Sequence, residues 1–349
     1  MLLFSYYICI LFSVLGYGIF TSRNILKIDL ENLGYTGFIG IFFLVIFSYV
    51  ISQFIPHYKY FNLLIIIFGI ILFFKFFKFI NQKKNILLLL SIFVILFIFI
   101  LVGKNHDDFH YYHFPYTYLL TEYVHPIGIG SLNHGFKTHS SLFFLSSLFY
   151  LPKIDYHLFH IAPVFFLGFA NIIFIKKIFD KKNYEENNFI RYLNLLFFIF
   201  FNIFFYRLAE HGTDRSAMII IVILVLDLLL ILNNNLDPIK NKNQIYLLII
   251  LLSLAASLKA FYIIYFVFGI PIILYLKTKE NFLLFALSRT TLAACILIFF
   301  VLLTNFFNTG CFLFPETSTC VYQVDWSLSE NLVNELKIHY ENWSKGGAN

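Results

Sequence analysis

Apolar runs of bilayer length dominate this chain. They fall at roughly 1–20, 37–55, 60–80, 86–102, 156–175, 192–206, 216–232, 245–257, 260–276 and 283–304. A helix needs about 20 mainly apolar residues to cross the hydrocarbon. Lipid offers no partner to an open sheet edge, so such runs must be helices that pack together. The expectation is an all-α polytopic transmembrane bundle of about 10 spans. With 48 Phe, 60% hydrophobic and only 13% charged residues, the chain has little material for anything else. Its formal charge of +6 does not imply a nucleic-acid partner. The lysines lie in short connections between spans, where they set orientation. Met1–Phe20 has no basic n-region and no small-residue cleavage site, so it reads as a first span rather than a cleaved signal.

Four basic clusters choose the sidedness: Lys75, Lys78, Lys83 and Lys84; Lys176, Lys177, Lys181, Lys182 and Arg191; Lys240 and Lys242; Lys277, Lys279 and Arg289. With all four cytoplasmic, the connections 103–139, 206–215, 258–259 and 305–349 lie outside, as does the N-terminus. Ser140–Leu151 is too short for a span and fits a re-entrant or interfacial helix. Gln244–Tyr275 is too long for one span, which predicts a hairpin with Lys259 at its tip. Asp227, near a cytoplasmic end, reads as a snorkelling side chain. Three units follow. Residues 1–85 form N-terminal spans, and 86–304 form a transmembrane core with the large outer loop 103–139. Residues 305–349 form an extracytoplasmic segment that stops without a final span, as a truncated chain would. Its tail, Leu328–Trp343, has the mixed pattern of a small amphipathic helix. Cys311 and Cys320 would form a disulfide if this segment faces an oxidising compartment.

The outer loop carries the chemistry. His106-Asp107-Asp108-Phe109-His110-Tyr111-Tyr112-His113 sets two carboxylates and three imidazoles directly after a span. Charge at a span's end is costly unless a metal, a proton transfer or a cap uses it. His106, His110 and His113 are spaced to share one face of an α-helix, which suggests zinc. Asp107 and Asp108 suggest instead Mg²⁺ or Mn²⁺ held beside a phosphate, because hard ions prefer oxygen. The stretch Phe109–Thr121 has the pattern of an interface-lying helix, broken by His125-Pro126. The second outer segment, Arg207 to Arg215, gathers two cations with Glu210, His211 and Asp214. Read blandly, it is a solvated connection with Thr213 or Asp214 capping the next helix. Lys259 is a lone cation in an apolar run, positioned to snorkel or to hold an anionic phosphate.

A span followed by Asp107-Asp108, a long outer loop, then Phe136-Lys137-Thr138-His139 and many further spans resembles the GT-C superfamily of polytopic glycosyltransferases. Tyr112-His113-Phe114-Pro115, and Asn308 to Pro315 with Asp325-Trp326, are similar to segments of uncharacterised bacterial GT-C-like membrane proteins. The resemblance covers about residues 86–330. It implies a polyprenyl-phosphate-linked sugar donor reached from the outer leaflet and a glycan or lipid acceptor of the cell envelope. It also implies an active face that is periplasmic on a bacterial inner membrane. Asp107 or Asp108 would be the general base, and Lys137, Arg207, Arg215 and Lys259 would serve the phosphate. His110, His113, His139, Glu210, His211 and Asp214 would line the substrates. The chain departs from the superfamily in its number of spans before the diacidic loop and in lacking a Lys-Pro-Pro stretch.

The chemistry is coherent without the resemblance. A glycosyl phosphate carries a good leaving group, so the protein need only deprotonate an acceptor and neutralise phosphate charge. A lipid-linked oligosaccharide flippase would instead place polar groups mid-span around a cavity. An O-antigen polymerase-like protein and a non-enzymatic assembly subunit are the remaining readings.

Overall fold

The computed structural model describes residues 1–77, 83–101, 106–179, 188–205, 207–210, 212–233, 238–279 and 282–347. Lys78, Lys181, Lys182 and His211 lie outside the described residues. In chain order the helices are α1 (Leu2–Phe20), α2 (Leu33–Ser52), α3 (Lys59–Phe76), α4 (Lys83–Ile100), α5 (Phe114–Glu122), α6 (Ser141–Ser147), α7 (Ala162–Phe179), α8 (Asn188–Phe204), α9 (Asp214–Asn233), α10 (Pro238–Leu258), α11 (Gly269–Lys279), α12 (Phe282–Ala286), α13 (Arg289–Thr309) and α14 (Glu330–Ser344). No strand occurs among the described residues. Seven helical segments are long and apolar enough to cross a membrane: Leu2–Leu26, Leu33–Ser52, Lys59–Phe76, Lys83–Ile100, Tyr156–Phe179, Asp214–Leu232 and Arg289–Thr309. They make this a membrane protein. Asn188–Phe204, Lys242–Leu258 and Ala260–Leu274 are shorter apolar helices.

The first three spans pack with their backbones almost in contact. A side chain on Gly16 would run into the Gly69 carbonyl of α3, and one on Gly40 into the Val14 carbonyl of α1. Small residues at such crossings let helices approach closely, which is how helices associate where both sides are apolar. α2 then packs on α7, and α7 on α4, α8 and α9. Polar links cross these interfaces. Asn171 of α7 and Asn202 of α8 exchange amide hydrogen bonds of 2.9 and 2.8 Å. Asp227 of α9 is fully buried, ion-paired with Lys177 of α7, and accepts a 2.6 Å hydrogen bond from Tyr35. It therefore does not snorkel. Burying a carboxylate is tolerated here because two neighbouring helices supply its partners.

The stretch expected to be re-entrant or interfacial contains the seven-residue helix α6, every residue of which is buried. A helix this short has mostly end groups, and each buried end must be satisfied. Ser140 caps its start by accepting from the Leu142 N–H. At its end, Ser48 donates to the Phe144 carbonyl at 2.6 Å, and Asn62 donates to Ser147 and Tyr150 carbonyls at 2.8 and 3.0 Å. The first three spans thus hold α6 in place.

α10 ends at Leu258, and Lys259 takes extended backbone before a 3₁₀ segment, Ala260–Phe268, packs back on α10. The expected hairpin with Lys259 at its tip is present. Arg23 donates to the Phe76 carbonyl, Lys176 to Glu31 and Arg289 to Ile25, so one end of the bundle gathers these cations. The opposite end carries the 106–139 loop, Lys259 and the C-terminal segment. There Cys311 and Cys320 form a disulfide, and α14 starts at a Ser329 cap that accepts from Leu332 N–H.

Candidate functional site

The diacidic segment does not wind as an α-helix. Phe109–His113 is π-helical and runs directly into α5. A π turn aligns residues five apart, so it sets Asp108 over His113 and turns His110 outward. Gly135 makes room for this, since any side chain there would strike the Tyr112 ring. The expected face of His106, His110 and His113 therefore becomes His106, Asp108 and His113. Their ligand atoms lie within 4.8 Å of one another. His110 is exposed, edge-on to Phe109. Asp107 is exposed and stands outside this group. Asp108 therefore shares its site with two imidazoles rather than with the neighbouring carboxylate.

Local bonds hold the group. The Asp108 N–H donates to His106 Nδ1 at 3.1 Å, and the Tyr112 hydroxyl donates to Asp108 Oδ2 at 3.2 Å. The His106 and His113 rings stack with centroids 5.4 Å apart, and Tyr112 stands edge-on to His113 at 4.5 Å. Burial holds His113 down to about 4, assisted by His106 and Lys259 and opposed by Asp108 and Asp214. Burial likewise raises the Tyr112 phenol, with Asp108 and Asp214 adding to it. Those influences place Asp214 and Lys259 beside the diacidic segment.

The second outer segment docks against the first. His106 N–H donates to the Ala209 carbonyl at 3.3 Å, which ties the turn Leu208–Glu210 to the histidine. Gly212 takes a positive φ of 54°, and a Cβ there would stand 3.2 Å from His106 Cδ2 and 3.5 Å from His113 Cε1. Asp214 begins α9, where its charge favours the helix N-terminus. Lys259 Nζ reaches its Oδ1 at 2.5 Å. His106, His113, Ala209 and Gly212 wall a recess that continues over Phe109, Thr117, Leu142, Phe143, Ser146, Phe159, His160 and Pro163. Its lining combines imidazole and hydroxyl groups with aromatic rings.

The other nominated residues lie elsewhere. Arg215 sets its guanidinium 5.3 Å from the centroid of Phe205, and its Nη1 is buried without a partner. Arg207 is exposed. Glu210 lies in the docked turn, and His211 is outside the described residues. Lys137 is 8% exposed, beside His134, and burial lowers its pKa. The Tyr340 hydroxyl of α14 pairs with His134 Nε2 at 2.9 Å, so the C-terminal segment covers that side of the loop. His139 belongs to the core, where its Nε2 meets Tyr49 Oη at 3.1 Å. His125 and His57 are buried nearby, paired with Tyr116 and Ser147.

Sequence reasoning did not assign roles to His106 as a partner of Asp108, to Tyr112 or to Gly212. The only signal for them is indirect: a glycine within a charged loop marks a close backbone approach.

Fold and site define an all-helical membrane protein with a histidine-lined recess at one end of the bundle. The chain belongs to the family described as Domain of unknown function (DUF8201), which matches residues 1–348. No curated protein and no solved structure matches it.

Proposed function

We propose that the chain is a GT-C-like membrane glycosyltransferase of about 10 spans, the three shorter apolar helices crossing alongside the seven long ones. It moves a sugar from a polyprenyl-phosphate-linked donor to a glycan or lipid acceptor of the cell envelope, at the periplasmic face of a bacterial inner membrane. The observation that carries this reading is that Asp214 and Lys259, paired at 2.5 Å, lie within electrostatic reach of His113 together with Asp108, so that three separate parts of the chain meet beside the recess. The acceptor oxygen attacks the anomeric carbon while the bond from that carbon to the phosphate oxygen breaks, and the phosphate leaves with the electron pair. A carboxylate of the Asp107–Asp108 pair takes the acceptor proton. Lys259 is the cation that offsets the charge gathering on the leaving phosphate in this reading. The aromatic wall suits a sugar face, and the surrounding lipid delivers the donor's tail. Direct displacement inverts the anomeric centre.

A flippase is the second reading, because Lys177, Asp227 and Tyr35 form an in-span polar cluster. Those groups satisfy one another, which favours a structural link between α2, α7 and α9. The discriminating experiment replaces Asp107 and Asp108 together by alanine in the native host and profiles lipid-linked sugars. The transferase reading expects accumulated polyprenyl-phosphate sugar and loss of the mature glycan. Unchanged glycan assembly at normal expression overturns it.

A further inference from the structure

The π-helical turn leaves three donors of two kinds facing one another. We propose that His106, Asp108 and His113 bind a divalent first-row transition ion of the zinc class, and that the Asp107–Asp108 pair is not a Mg²⁺ site. The donor set is two imidazoles and one carboxylate. Imidazole favours zinc and its neighbours, whereas Mg²⁺ selects oxygen donors. Asp107 lies outside the cluster, so the second oxygen ligand that a hard ion needs is not part of it.

Geometry supports a built site rather than a chance meeting. The three ligand atoms lie within 4.8 Å of one another. Closing on an ion with bonds of about 2.0–2.2 Å requires only a modest inward movement of the rings and carboxylate. The Tyr112 hydroxyl already orients the Asp108 carboxylate, as outer partners of metal ligands do. Gly212 passes the open side of both rings, and a Cβ there would fill the space against His106 and His113. Three protein donors leave a coordination position for water or a substrate oxygen, the arrangement of reactive rather than structural zinc sites. Lys259 and Asp214 stand beside it. An anionic oxygen, such as that of a phosphate, is the substrate atom this site would take.

The metal site stands independently of the glycosyltransferase reading, but one consequence rests on that reading. A carboxylate engaged by a metal is a poor proton acceptor, which leaves Asp107 to take the acceptor proton.

The test uses the full chain in detergent, with its tag removed and metals stripped by chelator. It is then dialysed against Zn²⁺, Co²⁺ or Mg²⁺, and bound metal is measured by mass spectrometry. The proposal expects one Zn²⁺ per chain, Co²⁺ absorption bands of a low-coordinate site, and no displacement by millimolar Mg²⁺. H106A and D108N each weaken Zn²⁺ binding at least tenfold, whereas D107N, a change outside the ligand group, leaves it nearly unchanged. His106 is part-exposed, so H106A tests the site even where the buried His113 tolerates no change. Failure to retain stoichiometric Zn²⁺ overturns the proposal. So does equal binding by H106A, or a loss in D107N matching that in D108N. Transfer lost in D107N with metal retained supports the split of roles between the two aspartates. Transfer retained in D107N overturns that split and leaves the metal site standing.

Discussion

Lys259, at the tip of the α10 hairpin, reaches the carboxylate of Asp214 at the start of α9 with a 2.5 Å contact. Both side chains are about half exposed, at 47% and 56%. An exposed pair of this kind contributes roughly 0–1 kcal/mol to stability. Lys259→Met is therefore expected to leave expression and the unfolding midpoint nearly unchanged, and the transferase reading expects it to lower sugar transfer by tenfold or more. Transfer by purified K259M, measured beside its thermal midpoint, checks this. A variant with full transfer would show that the pair only pins the hairpin.

The buried Lys177–Asp227 pair predicts the opposite balance. Removing one partner leaves an uncompensated charge among α2, α7 and α9, a loss of about 3–5 kcal/mol. Asp227→Asn and Lys177→Met should each lower the midpoint in detergent sharply. The double variant K177M/D227L should recover most of the loss, since an apolar pair needs no desolvation. A double variant as unstable as the singles would point to a role beyond packing.

Three core histidines predict acid sensitivity. Burial holds His57 and His139 down to about 3 and His125 to about 4. Each is neutral in the fold, and one ring nitrogen of each is buried without a partner. Above the ordinary imidazole value, near 6.5, neither folded nor unfolded chains bind the proton. Below it the unfolded chain takes protons that the fold refuses, so stability falls with pH until the folded values are reached. By pH 5 each histidine costs about 2 kcal/mol. The unfolding midpoint should decline steeply from pH 6.5 to 4.5, and His125→Asn should make that decline shallower.

The Cys311–Cys320 bridge, with a sequence separation of 9, contributes about 2–3 kcal/mol by limiting the unfolded segment. Under denaturing conditions a maleimide–polymer reagent should add two tags, on Cys9 and Cys295, before reduction and four afterwards. Four tags without reductant would mean that this segment does not meet an oxidising compartment.

Much of the helical layout was legible in the sequence because span length and apolar composition are dictated by lipid. The hairpin at Lys259 and the amphipathic α14 followed from the same arithmetic. The site was legible only in outline. The diacidic segment, the Arg207–Arg215 segment and Lys259 were each nominated separately, and the fold sets the Asp214–Lys259 pair within reach of Asp108 and His113. The detail was hidden for a definite reason. α-helical spacing grouped His106, His110 and His113, whereas the chain winds there as a π turn with the Tyr112 ring packed on Gly135, a long-range contact that no local spacing reveals. Asp227 misled for a similar reason. Its partners come from α2 and α7, far away in the chain, and no local pattern announces them.

The glycine contacts at Gly16 and Gly40 have a practical consequence for dissecting this protein. They lock the first three spans into one block, and that block supplies Ser48 and Asn62 to the buried helix α6, which lines the recess. The first three spans are thus the floor on which the recess rests. A shortened chain that begins at α4 would leave the carbonyls of α6 without their donors in an apolar surrounding. Trimming from the front should therefore yield no minimal folded unit, only an open bundle with a collapsed recess.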